Sequence, residues 1–484
     1  MATPPPPPPP DFDLVVVGLG PAGRAAVTFA AGLGLQVAAV EQSRPGGNSL
    51  WSGAVPSTAI IASARAAHNM RMADRLGIHA VEPQIDLATV WRRARAVQAD
   101  IARADHDPRS IRDLGIVLLQ GTARLTSPNE VEVTAPDGST RTVSTRFVLL
   151  CTGSRPHVPA IDGLADGPFL TSNNLFAIDA PPASMAIIGG GAMGTEMAQA
   201  LARLGVSVVL FERLPTVLAS EEPGLVERLT EVLVDEGVRV HCSADVRRVE
   251  HHADGTCIVH ATVGNDALEV HEHVGGVLIA AGRDVDFDVD ALGATQIGIG
   301  TTRRGVVIDD RGRTAVRTVY AAGDIVGMRR VSNGAAFDAI QAVRDMFFPG
   351  KGDTARIIPS CVFTDPELAR IGLTVAEAED LYGADTDVWL AELAANDRAR
   401  SEARTEGAVM VVTVKDKVVG AHVLAPAAGE IVHELALAVR EGVRIDQLAG
   451  LVHAYPTFAA TVGGLATEAA FERAHRLKWM VRRK

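Results

Sequence analysis

Two glycine clusters and the acids that follow them carry the most readable chemistry in this sequence. Gly18, Gly20 and Gly23 stand in the spacing Gly-x-Gly-x-x-Gly within DLVVVGLGPAG, with Ala22 at a variable place. Gly189, Gly191 and Gly194 repeat the spacing within MAIIGGGAMG, with Met193 at the matching place. Residues without a β-carbon permit a tight turn and let the main chain approach a pyrophosphate, whose charge then rests on the N-terminus of the next helix. Glu41 follows Gly18 by 23 residues, where a carboxylate accepts hydrogen bonds from a ribose. Glu212 takes that place after the second cluster. An acid there favours an unphosphorylated adenosine ribose, hence NADH, while the adjacent Arg213 would meet a 2′-phosphate and keeps NADPH open.

Such a motif is informative only when a strand feeds it and a helix leaves it. Leu14 to Val17 form an apolar run into the first cluster, RAAVTFAAGLG continues as a helical pattern, and Gln36 to Val40 read as a second strand. The second cluster has the same setting, with SVVLFE (207–212) as its second strand. Two dinucleotide folds suggest two dinucleotides. FVLLCTGSRPHVP (147–159) reads as a strand closing on Thr152 and Gly153. VYAAGDIVG (319–327) reads as a strand ending in Gly323 and Asp324, where an aspartate binds a ribityl hydroxyl of FAD. This last piece follows an intervening NAD fold, so the first nucleotide site is assembled from two segments.

The landmarks then run GLGPAG, GGNSLWSGAVPS, GTA (121–123), CTGSRP, IIGGGAMGTE, AAGRD (280–284), AAGDI (321–325), PSCVFTDPELARIGLT (359–374) and VHAYPT (452–457). In that order the chain resembles the FAD-dependent pyridine nucleotide-disulfide oxidoreductases, the group of dihydrolipoamide dehydrogenase, glutathione reductase and mercuric reductase, over about residues 12–470. The resemblance implies an α/β chain with two Rossmann-like dinucleotide-binding domains, for FAD and NAD(P), plus a C-terminal α+β dimerisation domain. The implied division is a Pro-rich tail over 1–11, FAD segments over 12–157 and 285–354, an NAD(P) domain over 158–284 and a dimerisation domain over 355–484. It implies a homodimer in which the partner's C-terminal segment completes each site. Around FAD it places Glu41, Gly47, Asn48, Thr58, Thr152, Gly153, Ser154, Arg283, Gly323, Asp324 and Ala335, with Gly121 and Ala123 near the adenine. Gly282 falls near the NAD ribose, and Glu196 where the nicotinamide meets the flavin.

The chain departs from that family at its redox centre. The family stretch Gly-Gly-Thr-Cys-Leu-Asn-Val-Gly-Cys-Ile-Pro-Ser-Lys, laid on residues 46–58, puts Ser49 and Ala54 at the two cysteines and Thr58 at the lysine. The family signature His-x-His-Pro-Thr-x-x-Glu becomes His453-Ala-Tyr455-Pro-Thr457 with Ala460 at the glutamate. Disulfide exchange needs a thiolate; a hydroxyl and a methyl group supply none, and the base that would serve the thiols is gone with them. Retained cofactor motifs beside a lost relay read as a changed electron acceptor, a quinone or similar planar molecule taking electrons directly from FAD. A pyridine nucleotide transhydrogenase and a non-catalytic FAD/NAD-binding redox sensor or scaffold remain alternatives. Without the lysine, Glu196 must find another donor (Arg24 is one), stay hydrated or hold a raised pKa. Trp51 either stacks on a planar acceptor or fills volume, and Tyr455 either hydrogen-bonds an acceptor across the dimer interface or packs. Cys151 and Cys361 read as small buried hydrophobes.

The bulk composition fits this picture. Of 484 residues, 47% are hydrophobic and 21% charged, and the formal charge is −12, which disfavours non-specific nucleic-acid binding. Four cysteines without a Cys-x-x-Cys pair suit a reducing, cytoplasmic compartment and no metal centre. The histidines around His251, His252, His260, His271 and His273 read as surface strand residues. The proline run near the N-terminus reads as a disordered spacer, or a docking peptide. No apolar run is long enough to span a membrane. The basic tail 471–484, with Leu477, Trp479 and Met480, reads as a frayed helix, with membrane-surface contact the alternative.

Overall fold

The computed structural model describes residues 9–285, 290–327, 331–350 and 357–476. Most of the proline run, together with Leu477, Trp479 and Met480, lies outside the described residues.

The first unit is built on β1 (Phe12–Val17), α1 (Pro21–Gly32), β2 (Val37–Glu41), α2 (Gly47–Trp51), α3 (Ala54–Arg71), α4 (Leu87–Asp105), α5 (Pro108–Asp113), β3 (Val117–Gln120), β4 (Thr122–Ser127), β5 (Glu130–Thr134) and β6 (Thr140–Leu150). Strands run in the order β3-β2-β1-β6-β5-β4. The β1–β2, β1–β6 and β2–β3 ladders are parallel, and β4-β5-β6 is an antiparallel meander. From Leu14 to Val17, β1 is apolar without alternation because both of its faces are covered. Leu14 and Val16 pack with Ala26 and Ala30 of α1, whereas Val15 and Val17 pack with Val131 and Val143 of the meander.

The chain crosses through β7 (Arg155–Pro156), β8 (Leu170–Thr171) and α6 (Ser172–Leu175) into the second unit. There β9 (Ser184–Ile188), α7 (Ala192–Arg203), β10 (Ser207–Phe211), α8 (Pro223–Asp235) and β11 (Arg239–His241) repeat the βαβαβ pattern. An antiparallel flap follows, made of β12 (Ala244–His251), β13 (Cys257–Val263) and β14 (Leu268–Val274), and then β15 (Val277–Ile279). The parallel sheet has the order β11-β10-β9-β15-β8. On the flap, His260 and His271 are cross-strand partners with Nδ1 atoms 2.8 Å apart. β16 (Arg283–Asp284) pairs antiparallel with β7 where the chain leaves the unit.

Beyond the small β17 (Thr301–Thr302) and β18 (Gly305–Val306) ladder, β19 (Val319–Ala321) returns to the first sheet beside β6. α9 (Ser332–Phe347) then packs on α1 through Ala339, Ala342 and Val343. The first unit is thus assembled from two separate segments.

The third unit holds β20 (Ser360–Val362), β21 (Glu367–Gly372), α10 (Val375–Tyr382), β22 (Thr386–Glu392), α11 (Asp397–Ser401), β23 (Ala408–Val414), β24 (Lys417–Ala425), α12 (Ala428–Glu441), α13 (Ile445–Leu448) and α14 (Ala460–Arg476). Its antiparallel sheet runs β20-β21-β24-β23-β22. Ile371, Val409 and Val423 face Leu435 of α12 and Leu465 of α14. The alternate residues Leu368, Ala408 and Leu424 face the second unit and share a core with Met197 and Leu229. The fold class is the one that the resemblance implied: two Rossmann-like units and a C-terminal α+β unit.

Candidate active site

One continuous cleft of about 2000 Å³ runs between the three units and reaches both glycine loops. Each loop starts at a residue that only glycine tolerates. Gly18 has φ +94°, and a β-carbon there would sit 2.5 Å from the Cys151 carbonyl oxygen; Gly189 has φ +111° and faces the Ala280 oxygen at the same distance. Gly20 and Gly191 line the cleft, and no atom lies within 4 Å of a β-carbon built on Gly191. That is an open cradle against the N-terminus of α7. Gly23 and Gly194 differ from the expectation: neither lines the cleft, and each packs against the start of its own loop, where a β-carbon would come within 1.8 and 1.9 Å of the Gly18 and Gly189 oxygens. Ala22 and Met193 line the cleft.

The two acids are held identically. Glu41 accepts from Leu19 N–H at 2.9 Å and Ser43 N–H at 2.8 Å. Glu212 accepts from Gly190 N–H at 2.6 Å and Leu214 N–H at 2.7 Å. Each carboxylate ties its glycine loop to the turn after the second strand, and both face the cleft. Arg213 lies exposed on the rim beside Glu212.

Between the loops, Ser154 is the hub of a polar network. Its hydroxyl donates to Asp324 Oδ2 at 2.5 Å and accepts from Arg283 Nε at 2.7 Å. Its carbonyl accepts from Arg283 Nη2 at 2.7 Å and Asn48 Nδ2 at 2.8 Å. Gly47, Gly121, Ala123, Gly153, Gly282, Gly323 and Ala335 also line the cleft. Thr152 Oγ1 is buried at the cleft wall with no hydrogen-bond partner among the described residues. A buried hydroxyl left unsatisfied costs about 1–3 kcal/mol, so the wall is built for a polar ligand that the protein itself does not provide. With two glycine cradles, two acids facing the cleft and Asp324 just after a strand end, the residues fit FAD and a pyridine nucleotide.

Where the redox pair was expected, the Ser49 hydroxyl is hydrogen-bonded to the Ser332 hydroxyl in the first turn of α9. Ala54 opens α3. Thr58 departs from its expected place: one turn along α3 it is exposed and does not line the cleft. Arg24 does not pair with Glu196; its Nε donates to the Asp105 carbonyl at 3.1 Å. Trp51 lines the cleft with its indole N–H on the Pro45 carbonyl at 2.8 Å, and the Arg44 guanidinium covers one ring face at 3.5 Å. Any stacking on a ligand must use the other face.

Glu196 sits buried on the first turns of α7, where its Oε1 accepts the Phe363 N–H at 2.9 Å. Burial pushes its carboxyl up to about 7, against that one hydrogen bond. No cation pairs with it among the described residues. Cys361 lines the same end of the cleft, and burial together with Glu367, Glu196, Glu221 and Glu430 pushes its thiol up. Burial also pushes Cys151 up. Neither thiol is poised as a thiolate.

Tyr455 does not line this cleft. It is 77% exposed, and its hydroxyl donates to Asp397 Oδ2 at 2.8 Å. Two residues earlier, His453 Nε2 lies 2.9 Å from Glu434 Oε2, a His–carboxylate contact that the motif alone did not disclose. Sequence reasoning also missed Arg44 and Ser332, each of which acts on a residue brought to it by the fold.

Residues 12–341 match a family model described as pyridine nucleotide-disulphide oxidoreductase, and residues 358–466 match the dimerisation domain of the same family. The chain is 32% identical to a dihydrolipoyl dehydrogenase of Chlorobaculum tepidum over 468 residues, covering 95% of this chain and 97% of the other. It is 32% identical to a mercuric reductase of Streptomyces lividans over 454 residues, covering 93% and 94%. Among solved structures, LpdA from Mycobacterium tuberculosis superposes with a TM-score of 0.85 at 25% identity, covering 94% of this chain and 99% of that one.

Proposed function

We propose, proceeding from a chain that belongs to the pyridine nucleotide-disulphide oxidoreductase family, that it is an FAD-dependent NAD(P)H oxidoreductase whose acceptor is not a disulfide. The acceptor is a quinone or a similar planar molecule, and NADH is the favoured donor. The chemistry that FAD would supply when bound there is two-electron transfer between a nicotinamide and the acceptor.

The chain's own residues divide the remaining work. The two glycine loops bind pyrophosphates at the starts of α1 and α7, and Glu41 and Glu212 stand ready for the riboses. Asp324, Arg283, Ser154 and Asn48 form a rigid polar floor between the two sites. Glu196 orients at the junction and holds or releases a proton there, near neutral pH. Trp51 offers its uncovered face to a planar acceptor. Tyr455, exposed on the third unit with its O–H already on Asp397, presents its ring and an acceptor oxygen toward the site of a partner copy in a homodimer.

The observation that carries the reading is the pair Ser49 and Ala54, one hydroxyl committed to Ser332 and one methyl group, beside cleft cysteines that burial keeps protonated. The relatives' names belong to disulfide and mercuric chemistry; the proposal departs from them at the residues such chemistry needs. An acceptor screen under anaerobic conditions tests it. Menadione and benzoquinone support NADH oxidation, and lipoamide and glutathione disulfide do not. Turnover with lipoamide or glutathione disulfide would refute the reading.

A further inference from the structure

Helix α7 starts at the second glycine loop and is fastened to the segment between β20 and β21 at three successive levels. Glu196 Oε1 accepts from Phe363 N–H at 2.9 Å. One turn on, Gln199 and Asp365 exchange two hydrogen bonds: Asp365 N–H donates to Gln199 Oε1 at 2.8 Å, and Gln199 Nε2 donates to the Asp365 carbonyl at 2.8 Å. Another turn on, Arg203 donates to Asp365 Oδ2 at 2.7 Å and to its carbonyl at 3.0 Å, while Glu236 takes the other edge of the guanidinium at 2.7 and 2.6 Å. Residues spaced by three and then four share one helix face. The three side chains are 6%, 3% and 5% exposed, and of the three only Glu196 lines the cleft.

A seam of this kind is an expensive way to hold two elements together. A buried arginine between two carboxylates carries a desolvation cost that apolar packing avoids. What directional bonds add is a single register: a slip of α7 by one residue would break all three levels together. The seam joins the second unit to the third, so it sets where Glu196 stands relative to the cleft wall.

We propose that Gln199 and Arg203 are positioning residues for Glu196, holding α7 against residues 363–365 in the one register that keeps the Glu196 carboxylate at the junction of the two dinucleotide sites. The proposal rests on the role given to Glu196 above.

The test is a double-variant cycle on the holoenzyme, with Gln199→Met and Glu196→Gln, read in two ways. Hydrogen exchange at the Phe363 amide reports the seam directly, and the rate of anaerobic FAD bleaching by NADH reports its consequence. Q199M speeds exchange at Phe363 and slows bleaching by about tenfold, as small misplacements do. In the E196Q background the added Q199M changes the rate by less than about twofold. Equal slowing in both backgrounds overturns the proposal, as does parental exchange and rate in Q199M while E196Q alone is slow. If E196Q itself bleaches at the parental rate, the role of Glu196 falls, and the positioning claim with it. Arg203→Lys keeps the charge but loses the fork; it is read by the same cycle and the same criteria where Q199M does not fold.

Discussion

Glu196 is a buried acid at the cleft, held by one main-chain hydrogen bond from Phe363. Its place was legible only through the family resemblance, which puts it where the nicotinamide meets the flavin. Its environment was not. The Phe363 N–H that holds it is 167 residues away, and no local pattern announces such a pair. Burial raises its carboxyl from an ordinary 4.5 to about 7. An acid whose folded pKa lies above its unfolded value binds its proton more tightly when folded. Its contribution to stability is therefore full below the unfolded pKa and is lost as pH rises through the folded one. The difference is on the order of 3 kcal/mol. In the cofactor-free protein, the melting temperature of the parent should fall relative to that of E196Q between about pH 5 and about pH 8. A constant gap across that range would show that Glu196 is not buried as an acid. In the loaded protein, the pH profile of FAD bleaching by NADH should carry an ionisation near neutrality that E196Q lacks.

At the scale of elements, the strands and helices around the glycine loops were readable because periodicity and turn chemistry agree there. The stretch from α2 into α3 was readable only as a set of substitutions. Its geometry came from the fold: Ser49 meets Ser332 across 283 residues of sequence, and Arg44 meets Trp51 because β2 ends beside α2. Thr58 was assigned to the flavin by its place in a motif, but with a short side chain on the outer side of α3 it lies away from the cleft. Trp51 is held by a cation–π contact on one ring face and an indole hydrogen bond, so a planar ligand would have to meet the other face. Trp51→Ala should raise KM for menadione by about fivefold, the loss of an aromatic contact worth about 1 kcal/mol. Steady-state kinetics at saturating NADH checks this, and an unchanged KM would assign Trp51 to packing alone.

The whole molecule places a cleft between three units, and its third unit carries large apolar side chains left exposed. Val452 is 93% exposed, Phe471 71% and Leu437 61%, beside Tyr455. Residues 358–466, which include Leu437, Val452 and Tyr455, match the family's dimerisation domain, so these exposed side chains fit an interaction surface. Val452→Asp should sediment as a monomer at concentrations where the parent is a dimer. A parent that is itself monomeric, or a V452D dimer of parental affinity, would contradict that assignment. Among the described residues no helix is long and apolar enough to cross a membrane. The order of the units was legible, because the motifs of one nucleotide site bracket those of the other. The polar seam between α7 and residues 363–365 was not, since both partners read locally as ordinary helix and loop residues.

The central claim is that no sulfur relay stands between the flavin and its acceptor, and anaerobic reductive titration of the holoenzyme tests it most directly. One two-electron equivalent of dithionite per FAD should bleach the flavin completely, and the number of free thiols should be the same before and after. A second two-electron equivalent taken up per FAD, with two new thiols appearing as it is consumed, would contradict the account.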